Sequence, residues 1–203
     1  MKKIFLGLFA ACMIISGVSF AAMPENLAPK DLRVFGHANA PAKIYVFSSF
    51  TCPYCAIYHK EVMPKLKEKY ADTARAQIIF VELPYEIRAM TGTILSRCMP
   101  ADKYEEFVNA IYSNQSLLMN TSNPRNFLSG YATALGMGEE DINRCLADKE
   151  LQRTVMAQRD NLAKLYGVKG MPTTIVVVKG KPHLLEGADA KAILLKVEDL
   201  IGK

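Results

Sequence analysis

A chain of 203 residues, half of them hydrophobic, is long enough for one domain with a substantial core, or for one domain carrying an insertion. Twenty-five lysines and arginines against 20 aspartates and glutamates leave a formal charge of +5, an ordinary solubilising balance. No basic stripe interleaved with aromatics is present, so a nucleic-acid partner is not expected.

Met1-Lys2-Lys3 is a short positive stretch, and Ile4 to Phe20 is apolar without a charge. Ser19-Phe20-Ala21 places small residues where a signal peptidase reads, so residues 1–21 are expected to be a signal peptide cleaved after Ala21. An uncleaved anchor is the alternative, but the run contains Gly7 and Gly17 and falls short of the roughly 20 residues that span a bilayer. A lipobox reading of Phe9-Ala10-Ala11-Cys12 places the cysteine too close to Lys3 for a normal apolar core. Removing 21 of 203 residues leaves 182 and, with Lys2 and Lys3 gone, lowers the charge from +5 to +3. The mature protein is expected in the periplasm, where disulfides persist.

Ala42 to Ser48, rich in aromatic and β-branched residues, predicts a strand. It runs into Cys52-Pro53-Tyr54-Cys55 and a helix to about Tyr70, with a break expected at Pro64. Ala76 to Leu83 predicts a second buried strand, parallel to the first through a crossover helix. Residues from about 85 to 166 turn helical. Asp102-Lys103-Tyr104-Glu105 fits a capping box ahead of a stripe of Tyr104, Phe107, Val108, Ile111 and Tyr112. Asn123-Pro124 is a cap with a first-turn proline, and Asp148 caps a long helix stopped by Gly167. Thr173 to Val178 predicts a strand, a turn at Lys179-Gly180-Lys181 leads to a short strand over His183 to Leu185, and Asp189 caps a terminal helix. The whole of 22–203 reads as one domain, α/β in class, its βαβ…ββα unit interrupted by the helical block. Most methionines fall at core-like helical positions, which favours packing over an adaptable binding surface.

The chemistry centres on Cys52 and Cys55. A thiolate rather than a thiol attacks a disulfide, and a helix N-terminus, with unpaired amides and a positive dipole end, stabilises that anion. Cys52 stands where strand gives way to helix. Pro53 suits the first turn because its missing amide would have had no partner. Cys55, one turn deeper, closes the ring, so Cys52 is expected to exchange with substrate and Cys55 to resolve the mixed disulfide. Zinc ribbons also use this spacing, but four ligands are needed and Cys98 and Cys145 stand apart, so no metal is expected. His59 reads as a helix-surface residue. Gly170-Met171-Pro172-Thr173 enters a strand, where a cis Met171–Pro172 bond would make a tight turn. Four cysteines survive cleavage, an even number that suggests two disulfides in an exported chain. Buried free thiols at Cys98 and Cys145 are the alternative.

Strand, Cys-Pro-Tyr-Cys, helix, helical block and Gly-Met-Pro-Thr before a strand together resemble the DsbA family of exported thiol:disulfide oxidoreductases, in particular those of alphaproteobacteria. The resemblance runs from Gly36 to the terminal helix. It implies a thioredoxin fold with an inserted helical domain, a second disulfide between Cys98 and Cys145, and Pro172 as the cis-proline facing the redox pair. Substrate would pair with the backbone at Met171, making Met171, Pro172, Pro53 and Tyr54 the candidate substrate-contacting residues. No organic cofactor is implied. The partners implied are reduced or unfolded exported proteins and a membrane redox protein, DsbB-like for an oxidase or DsbD-like for a reductase.

Two departures qualify the transfer. Many relatives carry a buried acid six residues before the first cysteine, where this chain has Val46. Strongly oxidising members often have histidine where this chain has Tyr54, so a milder oxidant is expected. A periplasmic dithiol oxidase is the leading function, and an isomerase or reductase kept reduced by a membrane donor is the alternative. A holdase without redox chemistry is a third. Residues 22–40 leave no room for the oligomerising domain that isomerases of this superfamily use, which favours a monomer.

Overall fold

The computed structural model describes residues 32–202, so the expected signal segment lies outside the described residues. The expected break falls at Val62: α1 (Pro53–Glu61) gives way to α2 (Met63–Leu66), with Pro64 in its first turn, and a π turn continues to Ala71.

Five strands form one sheet in the order β1-β3-β2-β4-β5. β2 (Ala42–Ser48) pairs parallel with β3 (Ala76–Glu82), and the crossover runs through α1 and α2. β4 (Thr173–Val178) pairs antiparallel with β2 and with β5 (Lys181–Glu186). β1 (Arg33–Phe35) adds an antiparallel edge to β3 that the sequence reading did not foresee.

The near-continuous apolar runs of β2 and β3 follow from burial on both faces. On one face Ile44, Val46, Ile78, Phe80 and Val176 meet Tyr58, Val62 and Leu66 of the crossover and Ile193 and Val197 of α9 (Ala190–Ile201). On the other, Tyr45, Phe47, Ile79, Val81 and Ile175 meet Leu162 and Tyr166 of α8 (Lys149–Tyr166). The alternation along each strand sends successive side chains to opposite cores.

Six helices lie between β3 and β4: α3 (Ile87–Cys98), α4 (Tyr104–Ser113), α5 (Gln115–Asn120), α6 (Pro124–Ala134), α7 (Glu139–Ala147) and α8. They share a core of Ile94, Leu95, Phe107, Ile111, Leu118, Leu128 and Val155. Asn123, Asp148 and Asp189 each cap their helix through a side-chain oxygen, and Gly167 closes α8 with φ +67°. The capping box expected at Asp102 does not form. A turn from Pro100 to Lys103 delays the helix to Tyr104, and Lys103 at its N-cap makes no side-chain cap. A disulfide joins Cys98, the last residue of α3, to Cys145 of α7 across a Cα separation of 6.2 Å. Met63, Met99 and Met137 are buried, whereas Met119 and Met156 lie on the surface.

One buried side chain ties the two parts together. Phe50, two residues before Cys52, belongs to the helical core rather than to the sheet. Its ring fits over α3 because residue 92 is glycine: a Cβ there would meet Phe50 Cδ2 at 3.0 Å.

Candidate active site

β2 ends at Ser48, and the turn Ser49–Thr51 delivers Cys52 to the N-cap of α1. Cys52 is extended (φ −89°, ψ 117°), its amide bonds Ser49 O, and its carbonyl accepts the amides of Cys55 and Ala56. Pro53 occupies the first turn of α1, so no amide is lost there. Cys52 is half-buried, Cys55 is fully buried, and both are thiols rather than a disulfide here.

The electrostatics are asymmetric. The Cys52 thiol is lowered to about 6, first by a hydrogen bond from the Cys55 thiol and then by the amides of Cys55 and Tyr54, while burial opposes them. At neutral pH that shifts Cys52 toward the thiolate, whereas an ordinary cysteine stays mostly a thiol. Cys55 is pushed up, because it donates to Cys52 and because it is buried; the Ser48 hydroxyl and the Ser49 amide pull the other way. The half-buried cysteine is thus the one held toward the anion, and the buried one is its proton donor.

Across from Cys52 lies the loop entering β4. The Met171–Pro172 peptide is cis, and Met171 O stands 3.6 Å from Cys52 Sγ. Thr173 Oγ1 donates to Gly170 O, and the Gly187 amide donates to Pro172 O, which fixes the loop against β5. Pro53 and Tyr54 face solvent beside the sulfur, Tyr54 being 66% exposed. Cys52, Cys55, Met171, Pro172, Pro53 and Tyr54 therefore share one rim of the sheet. Cys98 and Cys145 lie away from it, in the helical block.

Several residues at this rim had no flag in the sequence. Gln115, at the start of α5, donates its side-chain amide to Phe50 O (2.8 Å) and Cys52 O (3.0 Å). Tyr112 Oη bonds Ser48 Oγ at 2.7 Å, and its ring packs on Phe50. Tyr58 bonds Thr174 beneath Cys55. Val46 is completely buried. Only Ser48, a polar residue ending an apolar strand four positions before Cys52, gave a local signal. His59 is not a plain surface residue. Its ring stacks on Tyr112 at 4.7 Å and bonds Asn109 of α4, and burial holds its basicity below the usual value. Among the described residues, no group of three or more His, Cys, Asp or Glu is placed to hold a metal ion.

A family model described as Thioredoxin matches residues 29–183. The chain belongs to the thioredoxin family. Within that family its sequence is 27% identical over 144 residues to a Rickettsia typhi protein provisionally named a protein-disulfide oxidoreductase, covering 70% of this chain and 53% of that one. The chain thus spans about half the length of the first curated relatives it matches. A Bacillus anthracis protein provisionally named disulfide bond formation protein D is 26% identical over 167 residues, covering 75% of this chain and 72% of that one. Among solved structures, Wolbachia pipientis alpha-DsbA1 superposes with a TM-score of 0.76 at 23% identity, covering 85% of this chain and 92% of its own. Oxidised BdbD from Bacillus subtilis gives 0.73 at 18% identity, covering 87% and 96%. The fold is therefore DsbA-like, a thioredoxin sheet with a helical insertion, as the sequence resemblance implied.

Proposed function

We propose that this protein is a thiol:disulfide oxidoreductase that exchanges disulfides with extended segments of other proteins. Cys52 acts as the nucleophile and Cys55 as the resolving cysteine. The observation that carries the reading is the placement of Cys52 Sγ at the N-cap of α1, 3.6 Å from Met171 O beside the cis Met171–Pro172 bond. In the oxidising direction a substrate thiolate attacks Cys52 Sγ, the Cys52–Cys55 bond breaks, and Cys55 leaves with the electron pair. The substrate's second thiolate then attacks the mixed disulfide and releases Cys52 as a thiolate. A stabilised Cys52 anion makes this release favourable and the disulfide form oxidising. The backbone at Met171, with Pro172 turning the loop, offers an edge to which an extended peptide can pair while Pro53 and Tyr54 flank the sulfur.

This chemistry, the relatives' printed names and the leader-like first 21 residues support a periplasmic dithiol oxidase working as a monomer on reduced exported proteins. A membrane redox protein would reoxidise it. Among the described residues no helix is long and apolar enough to cross a membrane. The neutral Tyr54 beside the sulfur is the one observation that favours a reducing or isomerising partner instead. The redox potential of Cys52–Cys55 against glutathione tests the direction. A value near about −120 mV supports oxidation and one near about −270 mV supports reduction. An unaltered exchange rate in Cys52→Ser would defeat the assignment of the nucleophile.

A further inference from the structure

Resting on that reading, we propose that the cleft between α1 and α4 is the subsite for a bulky apolar side chain of the substrate polypeptide, with Ile57 as its specificity-determining residue. The cleft has a volume of about 620 Å³. Ala56, Ile57 and Pro64 wall it on the crossover side, and Asn109, Tyr112 and Ser113 on the α4 side. Its base is tied across: His59 Nε2 bonds Asn109 Oδ1 at 2.6 Å, and the His59 ring stacks on Tyr112. Tyr112 is fixed in turn by Ser48 and Phe50. The cleft is thus built before any substrate arrives, which lowers the ordering cost of filling it. Ile57 is an aliphatic side chain left 43% exposed at its edge.

Position and chemistry select the substrate as occupant. The cleft opens beside the nucleophile: Ala56 donates its amide to Cys52 O, and Gln115, two residues beyond Ser113, donates to the same oxygen. Tyr54 and Ile57 are one helical turn apart and both exposed, so the apolar track beside the sulfur runs on into the cleft. The cleft also lies on the opposite flank of β2 from Met171. Met171 leads into β4 on one side of β2, whereas α4 packs its Tyr104 on Phe80 of β3, on the other. A chain whose backbone pairs at Met171 therefore crosses Cys52 and enters the cleft with its other arm. The lengths agree. Ile57 and Glu61 stand five and nine residues beyond Cys52, about 7.5 and 13.5 Å along a helix axis. An extended chain advances about 3.3 Å per residue, so the side chain that enters sits roughly two to four positions from the reacting cysteine. Ile57, Pro64 and the Tyr112 ring make apolar walls, and the mouth carries one charge of each sign, Lys60 and Glu61. Such a lining selects bulk without selecting charge.

The test mixes the oxidised full-length protein with reduced single-cysteine peptides and follows loss of the Cys52–Cys55 bond by acid quench, alkylation and mass. Each turnover joins two peptide thiols as a disulfide while the protein's bond becomes two thiols. The peptides carry phenylalanine or serine three positions from the cysteine, on either side of it. Reduced glutathione, whose arms are too short to reach the cleft, is the reference. On one arm phenylalanine is expected to raise the second-order rate about tenfold over serine, as partial burial of such a ring would give. In Ile57→Ser that ratio should fall toward one, and Ser113→Trp, which fills the cleft from the other wall, should act alike. Taking the ratio within each variant cancels any general change at the sulfur. Equal rates for phenylalanine and serine on both arms overturn the proposal, as does a ratio that survives both variants. A native mass of two chains in solution that returns to one in Ile57→Ser also overturns it, because a second copy would then cover the cleft. If the native protein oxidises neither glutathione nor peptide, the function proposed above fails and this proposal with it; normal glutathione oxidation with equal peptide rates sinks the cleft alone.

Discussion

Gln115 makes a prediction whose size follows from two hydrogen bonds. Its side-chain amide serves Phe50 O and Cys52 O, but the two carbonyls do not depend on it equally. Cys52 O also accepts the amides of Cys55 and Ala56, so it keeps partners when Gln115 is removed. Phe50 O faces Gln115 in a buried setting, so its desolvation dominates the cost. A Gln115→Leu side chain has similar bulk and no donor, and leaving one buried acceptor without this partner costs about 1–3 kcal/mol. Gln115→Glu should cost more at neutral pH, because a carboxylate would confront two carbonyl oxygens. Urea denaturation of the oxidised and reduced forms measures both variants. The loss should be similar in the two redox states, because the contact is to backbone rather than to sulfur. A loss below about 0.5 kcal/mol in Gln115→Leu would refute the reasoning, as would a Gln115→Glu protein as stable as the native one with its new carboxylate ionised.

Three further outcomes are expected. The reduced form should gain stability relative to the oxidised form as pH rises from about 6 to about 8.5: the Cys52 pKa is depressed on folding, so its contribution is present above the unfolded value and lost as pH falls through about 6. Cys55 is raised and works in the opposite sense, so above the ordinary thiol range the gain should stop and begin to reverse; paired urea midpoints that stay parallel across pH would contradict both. Tyr54→His should lower the Cys52 pKa further by placing positive charge beside the half-buried thiolate, as read by the absorbance of the thiolate on titration. Replacing both Cys98 and Cys145 by alanine should remove roughly 2–4 kcal/mol of stability, given the 47-residue separation, while glutathione capture at Cys52 persists.

What could be read directly was what local chemistry dictates. β2, β3 and β4 are apolar runs with β-branched residues, and Asn123, Asp148, Asp189 and Gly167 punctuate helices by mechanisms internal to a few residues. β1 escaped because three residues beginning with Arg33 carry no period, and only the edge of β3 makes them a strand. The Asp102 cap failed because Pro100 started a competing turn. At the active site, the two cysteines and the Met171–Pro172 loop stood out as motifs. Gln115 and Tyr112 did not, because each meets its partner across more than 60 residues of chain. Tyr112 looked like one more member of a packing stripe, and only the meeting of α4 with β2 shows that its hydroxyl has separate work. His59 looked like a surface residue for the same reason, since the ring that covers it belongs to α4.

Phe50 also bears on how far the molecule can be pared down. A shortened chain splicing Leu83 to Gly170 would keep every strand, both redox cysteines and the Met171–Pro172 loop, and on paper it would be a minimal version of the fold. It would nonetheless strand Phe50 in water and remove Gln115 and Tyr112 in the same cut, taking away the buttress behind the nucleophile's turn. The helical block is thus no detachable accessory. It is the far wall of the reaction centre.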